Sequence, residues 1–147
     1  MKTLVSEIMT TDLVTVDIDT PLRKIVTMFR KHKVRHFPVV DGGKLKGIVS
    51  LSDILRLSFG MRLGDDEVDI DEAIFEMLKL DQVMATNVKT VTPDQMVADV
   101  ARFLTQQEFH ALPVVDKDEL VGIITTTDVI HFLLLQTEKS AGEAAVA

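Results

Sequence analysis

The chain has 147 residues, 46% of them hydrophobic and 27% charged, a balance that suits a folded domain and argues against disorder. It has no cysteine, which rules out disulfides, thiolate zinc sites, iron–sulfur clusters and a cysteine nucleophile. A net charge of −7 and an aromatic content of 5%, with no Trp or Tyr, deny a general nucleic-acid interface both its basic excess and its stacking platforms. The longest apolar run, Phe132-Leu133-Leu134-Leu135, is far too short to span a membrane, and the opening Met1-Lys2-Thr3-Leu4-Val5-Ser6-Glu7 lacks the apolar stretch of a signal peptide. The expectation is a cytoplasmic protein with no membrane partner.

In chain order, residues 6–58 form a first unit. A short strand runs through Val14 and Val16. A helix follows, with Asp19 or Thr20 as N-cap, Pro21 in its first turn and an apolar stripe of Leu22, Ile25, Val26 and Phe29. Two short strands, Phe37–Val40 and Leu45–Val49, turn at Asp41-Gly42-Gly43-Lys44, and helix Ser52–Ser58 closes the unit. The segment 59–80 opens with Gly60, Gly64, Asp65, Asp66, Glu67 and Asp69. It then predicts a helix with Ile70, Ile74, Met77 and Leu78 on one face, either an acidic linker over the domain joint or a partner contact.

Residues 81–135 repeat the first unit at a constant offset of 75 residues. Met84 repeats Met9, Thr90-Val91 repeats Thr15-Val16, and Pro113-Val114-Val115-Asp116 repeats Pro38-Val39-Val40-Asp41. Gly122-Ile123 repeats Gly47-Ile48, and Asp128 repeats Asp53. The second copy therefore predicts a strand through Val88 and Val91 and a helix with Val97, Val100, Ala101 and Leu104 buried. Strands Leu112–Val115 and Leu120–Ile124 and a helix Thr127–Leu135 complete it. The fold class is mixed α/β (α+β), a β-α-β-β-α unit twice over, with the copies packed about a pseudo-twofold axis because a three-stranded sheet covered on one face cannot bury itself alone. Residues 136–147 read as a flexible tail.

Each copy ends its last strand with a glycine, two apolar residues, a hydroxyl, two residues and an aspartate: Gly47-Ile48-Val49-Ser50-Leu51-Ser52-Asp53 and Gly122-Ile123-Ile124-Thr125-Thr126-Thr127-Asp128. Two readings fit. A hydroxyl followed three residues later by an acid is the spacing of a capping box, although Asp suits it less well than Glu. A strand that delivers hydroxyls to a helix N-terminus, where free N–H groups and the dipole favour an anion, also suits phosphate oxygens. The ionised aspartate, an acceptor only, then suits a ribose diol, and a nucleotide meets both demands.

Between residues 20 and 40 there are six basic side chains, Arg23, Lys24, Arg30, Lys31, Lys33 and Arg35, and no acid. Lys24, Lys31 and Lys33 read as a solvated helix face. Arg35 and His36, beside apolar Val34 and Phe37 where the helix hands over to the sheet, are candidate phosphate ligands. The second copy has His110 and Ala111 there. No catalytic residue and no metal site is predicted. His32, His36, His110 and His131 form no i, i+4 pair, and neither a P-loop nor a Gly-x-Ser-x-Gly elbow occurs.

These motifs, with Ile8-Met9-Thr10 and Val83-Met84-Ala85 ahead of each copy, resemble the tandem CBS-domain pair, or Bateman module, over nearly the whole chain. The resemblance implies a stand-alone regulatory, energy-sensing module with no obligatory cofactor. It would bind an adenosine-containing ligand, AMP, ADP, ATP or S-adenosylmethionine, in two clefts between the repeats. Carried over by position, one cleft uses Arg35, His36, Ile48, Ser50, Ser52 and Asp53 with Ala85, Lys89 and Phe109 of the other copy. The second uses His110, Ile123, Thr125, Thr127 and Asp128 with Thr10, Val14 and Val34. The resemblance also implies a homodimer, with Leu55, Phe59, Phe132 and Leu135 as its apolar faces, and an effector protein that reads the ligand state. The alternative is a dimerising interaction module with no nucleotide bound.

Overall fold

The computed structural model describes residues 2–59 and 72–146. The elements are α1 (Val5–Ile8), β1 (Val16–Asp17), α2 (Leu22–His32), β2 (His36–Asp41), β3 (Lys44–Ser50), α3 (Leu51–Phe59) and α4 (Glu72–Met77). After a 3₁₀ turn (Leu80–Gln82) come α5 (Val97–Leu104), β4 (Ala111–Asp116), β5 (Glu119–Thr125) and α6 (Thr126–Val146). No helix among the described residues is long and apolar enough to cross a membrane. The expected acidic stretch from Gly60 to Asp69, and Ile70, lie outside the described residues.

The chain divides into two compact units that cut across the sequence repeats. One is Val14–Val88; the other joins Met1–Leu13 to Lys89–Ala147.

In the Val14–Val88 unit the sheet order is β1-β2-β3, with β1 parallel and β3 antiparallel to β2. The turn between β2 and β3 puts Gly42 at φ 56° and Gly43 at φ 82°, the left-handed conformation a tight hairpin demands. Leu22, Ile25 and Phe29 of α2 are buried against Phe37, Val39 and Val49 of the sheet, with Phe29 and Phe37 ring centroids 4.4 Å apart. The helix begins one step later than expected. Pro21 is the N-cap and its carbonyl accepts from Lys24 N–H at 3.0 Å, while Asp17 Oδ1 takes Asp19 N–H in a local turn. Asp19 and Thr20 therefore do not cap it. Helix α4 buries Phe75 and leaves Met77 80% exposed. It is too short, ending at Met77, for the expected stripe of Met77 and Leu78 to continue on one face.

The other unit repeats the hairpin as β4-β5, again with two positive-φ residues in the turn, here the non-glycines Lys117 and Asp118. The strand expected through Val88 and Val91 is reduced to one bridge, Val91 to Val114. The reason is chemical. In the first copy Ile18 N–H continues the ladder to Val40 O at 2.9 Å, whereas the equivalent position is Pro93, which has no N–H to give. The first residues of the chain close this unit: Val5 is fully buried with Val100, Leu104, Leu112 and Ile124, and Val5 N–H donates to Gln95 O at 2.9 Å.

Helix α6 runs through Val146, so the segment expected as a flexible tail is helical. Ala141, Glu143, Ala144 and Ala145 are strong helix formers and no proline interrupts them. Phe132 points into the unit, which removes it from the expected dimer face. Leu55 and Leu135 are exposed, and the side chain of Phe59 lies outside the described set.

Candidate functional site

The motif Gly-x-x-hydroxyl-x-x-Asp sits in both units at the junction of a strand with a helix. The capping-box spacing is realised as a closed pair of hydrogen bonds. Ser50 N–H donates to Asp53 Oδ2 at 2.9 Å and Asp53 N–H donates to Ser50 Oγ at 3.0 Å. Thr125 N–H donates to Asp128 Oδ2 at 2.9 Å and Asp128 N–H to Thr125 Oγ at 3.1 Å. The Thr125 hydroxyl also donates to Asp128 Oδ2 at 3.0 Å.

The free helix N–H groups expected to attract an anion are partly used. Leu51 N–H donates to the Arg35 carbonyl at 2.9 Å, and Thr126 N–H to the His110 carbonyl at 2.9 Å. These bonds tie the loop before β2 or β4 to the start of the closing helix. Arg35 and His110 are thereby held at their main chain while both side chains stay exposed. His36 lies opposite Ser50 in the β2–β3 register, and Ala111 opposite Thr125 in β4–β5. Cross-strand neighbours stand about 5 Å apart at Cβ. Arg35, His36, Ser50 and Asp53 are therefore brought to one end of one sheet, with Ser52 exposed on the first turn of α3. Sequence reasoning missed Arg56, one turn along α3, whose Nη2 is 3.6 Å from Asp53 Oδ1; the i, i+3 spacing was the available signal.

The segments ahead of each copy are placed as extra edges. Ile48 and Ala85 exchange backbone hydrogen bonds at 3.1 and 2.9 Å, and Thr10 and Ile123 do so at 2.9 and 3.0 Å. The glycines make room for this. A Cβ on Gly47 would stand 2.5 Å from the Ala85 carbonyl, and one on Gly122 would stand 2.6 Å from Met9 Sδ. Ala85 thus joins Ile48, Arg35, His36, Ser50, Ser52 and Asp53 in one unit, which also holds Val14 and Val34. Thr10, Lys89, Phe109, His110, Ile123, Thr125, Thr127 and Asp128 belong to the other.

Val34 and Phe109 occupy the same position in the two copies and are both 37% exposed. Each is followed by an exposed basic or imidazole residue, Arg35 after Val34 and His110 after Phe109. Among the described residues no group of three or more His, Asp or Glu side chains is placed to hold a metal ion.

The family model for the CBS domain matches this chain twice, at residues 5–60 and 80–135. The chain belongs to the CBS-domain family. Solved structures agree: CBSX2 from Arabidopsis thaliana superposes with a TM-score of 0.80 at 26% identity, covering 94% of this chain and 99% of that one. A structure of CBSX2 in complex with AMP matches with a TM-score of 0.75 at 26% identity, over 91% and 98% of the two chains. The CBS domain pair of protein MJ0100, in complex with 5′-methylthioadenosine and S-adenosyl-L-methionine, matches with a TM-score of 0.76 at 25% identity, over 92% and 99%. Among curated sequences, the uncharacterized protein MJ0188 of Methanocaldococcus jannaschii is 36% identical over 138 residues. That match covers 93% of this chain and 46% of the relative, so the chain spans less than half of that protein. The CBS fold places its repeated hydroxyl–aspartate motif where β3 meets α3 and where β5 meets α6.

Proposed function

We propose that this CBS protein is a non-catalytic regulatory module that binds an adenosine-containing ligand, with Arg35, His36, Ser50, Ser52 and Asp53 as its stronger site. The observation that carries the reading is the in-register set of an exposed apolar residue, a basic or imidazole residue, a strand-end hydroxyl and a helix-start aspartate in both units. The capping box spends Oδ2 of Asp53; Oδ1, which the exposed Arg56 approaches only at 3.6 Å, is the oxygen for a ribose hydroxyl, with the Arg35 guanidinium and His36 for phosphate. In the Asp128 copy, Ala111 replaces the imidazole and Thr125 gives its hydroxyl hydrogen to Asp128, so that copy is the weaker phosphate site. The AMP held by CBSX2 and the S-adenosyl-L-methionine and 5′-methylthioadenosine held by the MJ0100 pair support an adenosine ligand here. Signalling needs the ligand to prefer one conformational state over another, because equal affinity for both shifts nothing.

The test is thermal unfolding against AMP, ADP, ATP, S-adenosylmethionine, GTP and adenosine. A ligand that binds only the native state at a hundred times its Kd adds about 2.7 kcal/mol of stability. The expected result is a raised midpoint with at least one adenosine compound and none with GTP. Arg35→Ala should lose most of the shift given by the phosphorylated ligands and keep the one given by adenosine. No shift with any compound at millimolar concentration would remove the sensor reading.

The second reading, a dimerising interaction module, is favoured by α6. Ile130, Leu134 and Leu135 are between 46% and 58% exposed on one side of the helix, an apolar face that pairing of two copies would cover. Light scattering should then give twice the 16.4 kDa chain mass at micromolar concentration, and a monomer would exclude the pairing.

A further inference from the structure

Helix α2 carries a cationic stripe that the second copy of the fold lacks. An α-helix advances about 100° per residue, so Arg23, Lys24, Arg30 and Lys31 fall within an arc of about 120° around Thr27, opposite the buried Leu22, Ile25 and Phe29. All four are exposed, as is Lys33, held at φ 52° just past the helix end. Arg23 is engaged by Glu76 at 3.0 Å. Among the described residues, Lys24, Arg30, Lys31 and Lys33 form no ion pair.

The second copy is an internal control. At the same five positions it has Ala98, Asp99, Thr105, Gln106 and Glu108. Helix α5 nevertheless forms, buries the same stripe, Val97, Val100 and Leu104, and pairs Asp99 with Arg102 at 3.0 Å. The basic charges are therefore no requirement of the architecture. They line one face in two steps, Arg23 and Lys24 at its start and Arg30 and Lys31 two turns later. A charge cluster that is dispensable to the fold and, Arg23 apart, without an ion pair among the described residues is available to the counter-charge of a partner.

We infer that the exposed face of α2 is a docking surface for a short acidic polypeptide segment of a partner protein. Its dimensions and setting favour that partner. From Arg23 to Lys33 the stripe is about 15 Å long, three turns of helix, which matches a segment with carboxylates one turn apart. The chain as a whole carries −7, so the surface beyond the stripe is strongly acidic. A duplex or an anionic bilayer extends past the stripe and meets that acidic surface; a short peptide does not. The inference does not rest on the adenosine site, and Arg35 is left out of its test because that site uses it.

The probe is a fluorescein-labelled peptide of about 14 residues with Glu at every fourth position, followed by anisotropy in about 0.05 M salt, where the screening length exceeds 10 Å. A duplex of about 14 base pairs and vesicles rich in phosphatidylserine, which span the same ~15 Å stripe and more, are run alongside. The variant Lys24→Asp/Arg30→Thr/Lys31→Gln/Lys33→Glu replaces each cation with the residue the second copy already uses. It should weaken the peptide at least tenfold and keep or raise the Tm. The smaller Arg30→Thr/Lys31→Gln change gives the same direction should the larger one fail to fold. The reciprocal graft, Ala98→Arg/Asp99→Lys/Thr105→Arg/Gln106→Lys/Glu108→Lys on α5, should raise the stoichiometry from one peptide to two. No peptide binding by the natural chain, unchanged binding after the exchange, or tighter binding of the duplex or vesicles than of the peptide would each overturn the proposal.

Discussion

Gly47→Ala is expected to destabilise the Val14–Val88 unit by about 2–3 kcal/mol, the cost of forcing a methyl into a filled space. The new Cβ would meet the Ala85 carbonyl at 2.5 Å and Met84 Sδ at 3.0 Å. The carbonyl is backbone, fixed by the two Ile48–Ala85 hydrogen bonds, and it cannot move without breaking them. Gly122→Ala is expected to cost less, about 1 kcal/mol, because its closest neighbour is the flexible Met9 Sδ and the Thr10 carbonyl, tight at 3.1 Å, needs to give only a few tenths of an ångström. Met9→Ala should relieve Gly122→Ala, and Met84→Ala should not relieve Gly47→Ala. Gly142→Ala, in open space within α6, is the control and should stabilise by up to about 1 kcal/mol. Denaturant titration of the variants checks the order. Equal costs for Gly47→Ala and Gly122→Ala would show that the bridge strands are free to shift.

Asp53→Ala should act on stability and on ligand at once, and Asp53→Asn should separate the two. Alanine leaves the half-buried Ser50 N–H without its acceptor and opens one half of the capping box of α3, a loss of about 1–2 kcal/mol, while Ser50 Oγ still accepts from residue 53 N–H. Asparagine keeps one acceptor oxygen for Ser50 N–H, so its unfolding midpoint should stay close to that of the natural chain. Its remaining polar atom is then an amide nitrogen, a donor where the proposed ribose contact needs an acceptor. The adenosine-dependent rise in melting temperature should therefore vanish in both variants, with only the alanine variant melting early. Undiminished ligand shifts in Asp53→Asn would confine this carboxylate to capping.

Much of the architecture was legible because local patterns carry it. The offset that pairs Met9 with Met84 and Pro38 with Pro113 identifies the repeats, and i, i+3, i+4 spacing found the buried faces of α2 and α5. Two things were written less plainly. Ser-x-x-Asp reads equally as cap and as ligand site, and only the reciprocal 2.9 and 3.0 Å bonds show how much of Asp53 the cap consumes. The placement of Leu4–Thr10 beside Gln95 and Ile123 is a contact between distant residues that no periodicity encodes. Pro93 was visible from the outset, and its missing N–H explains why the second copy has no counterpart of β1.

The offset between repeats and compact units also bears on how the chain folds during synthesis. The Val14–Val88 unit is complete once its last residue leaves the ribosome, and its hairpin and helix contacts are mostly local. The other unit cannot finish then: Val5 and Thr10 wait for Gln95 and Ile123, translated at some 5–20 residues per second, and their contacts close a long loop of chain. Non-local closure of this kind slows folding. Two refolding phases are expected from it, the slower one belonging to the unit that holds Asp128, and a nascent chain halted with Val88 just clear of the ribosome should already carry Arg35, Ser50 and Asp53 in their final places.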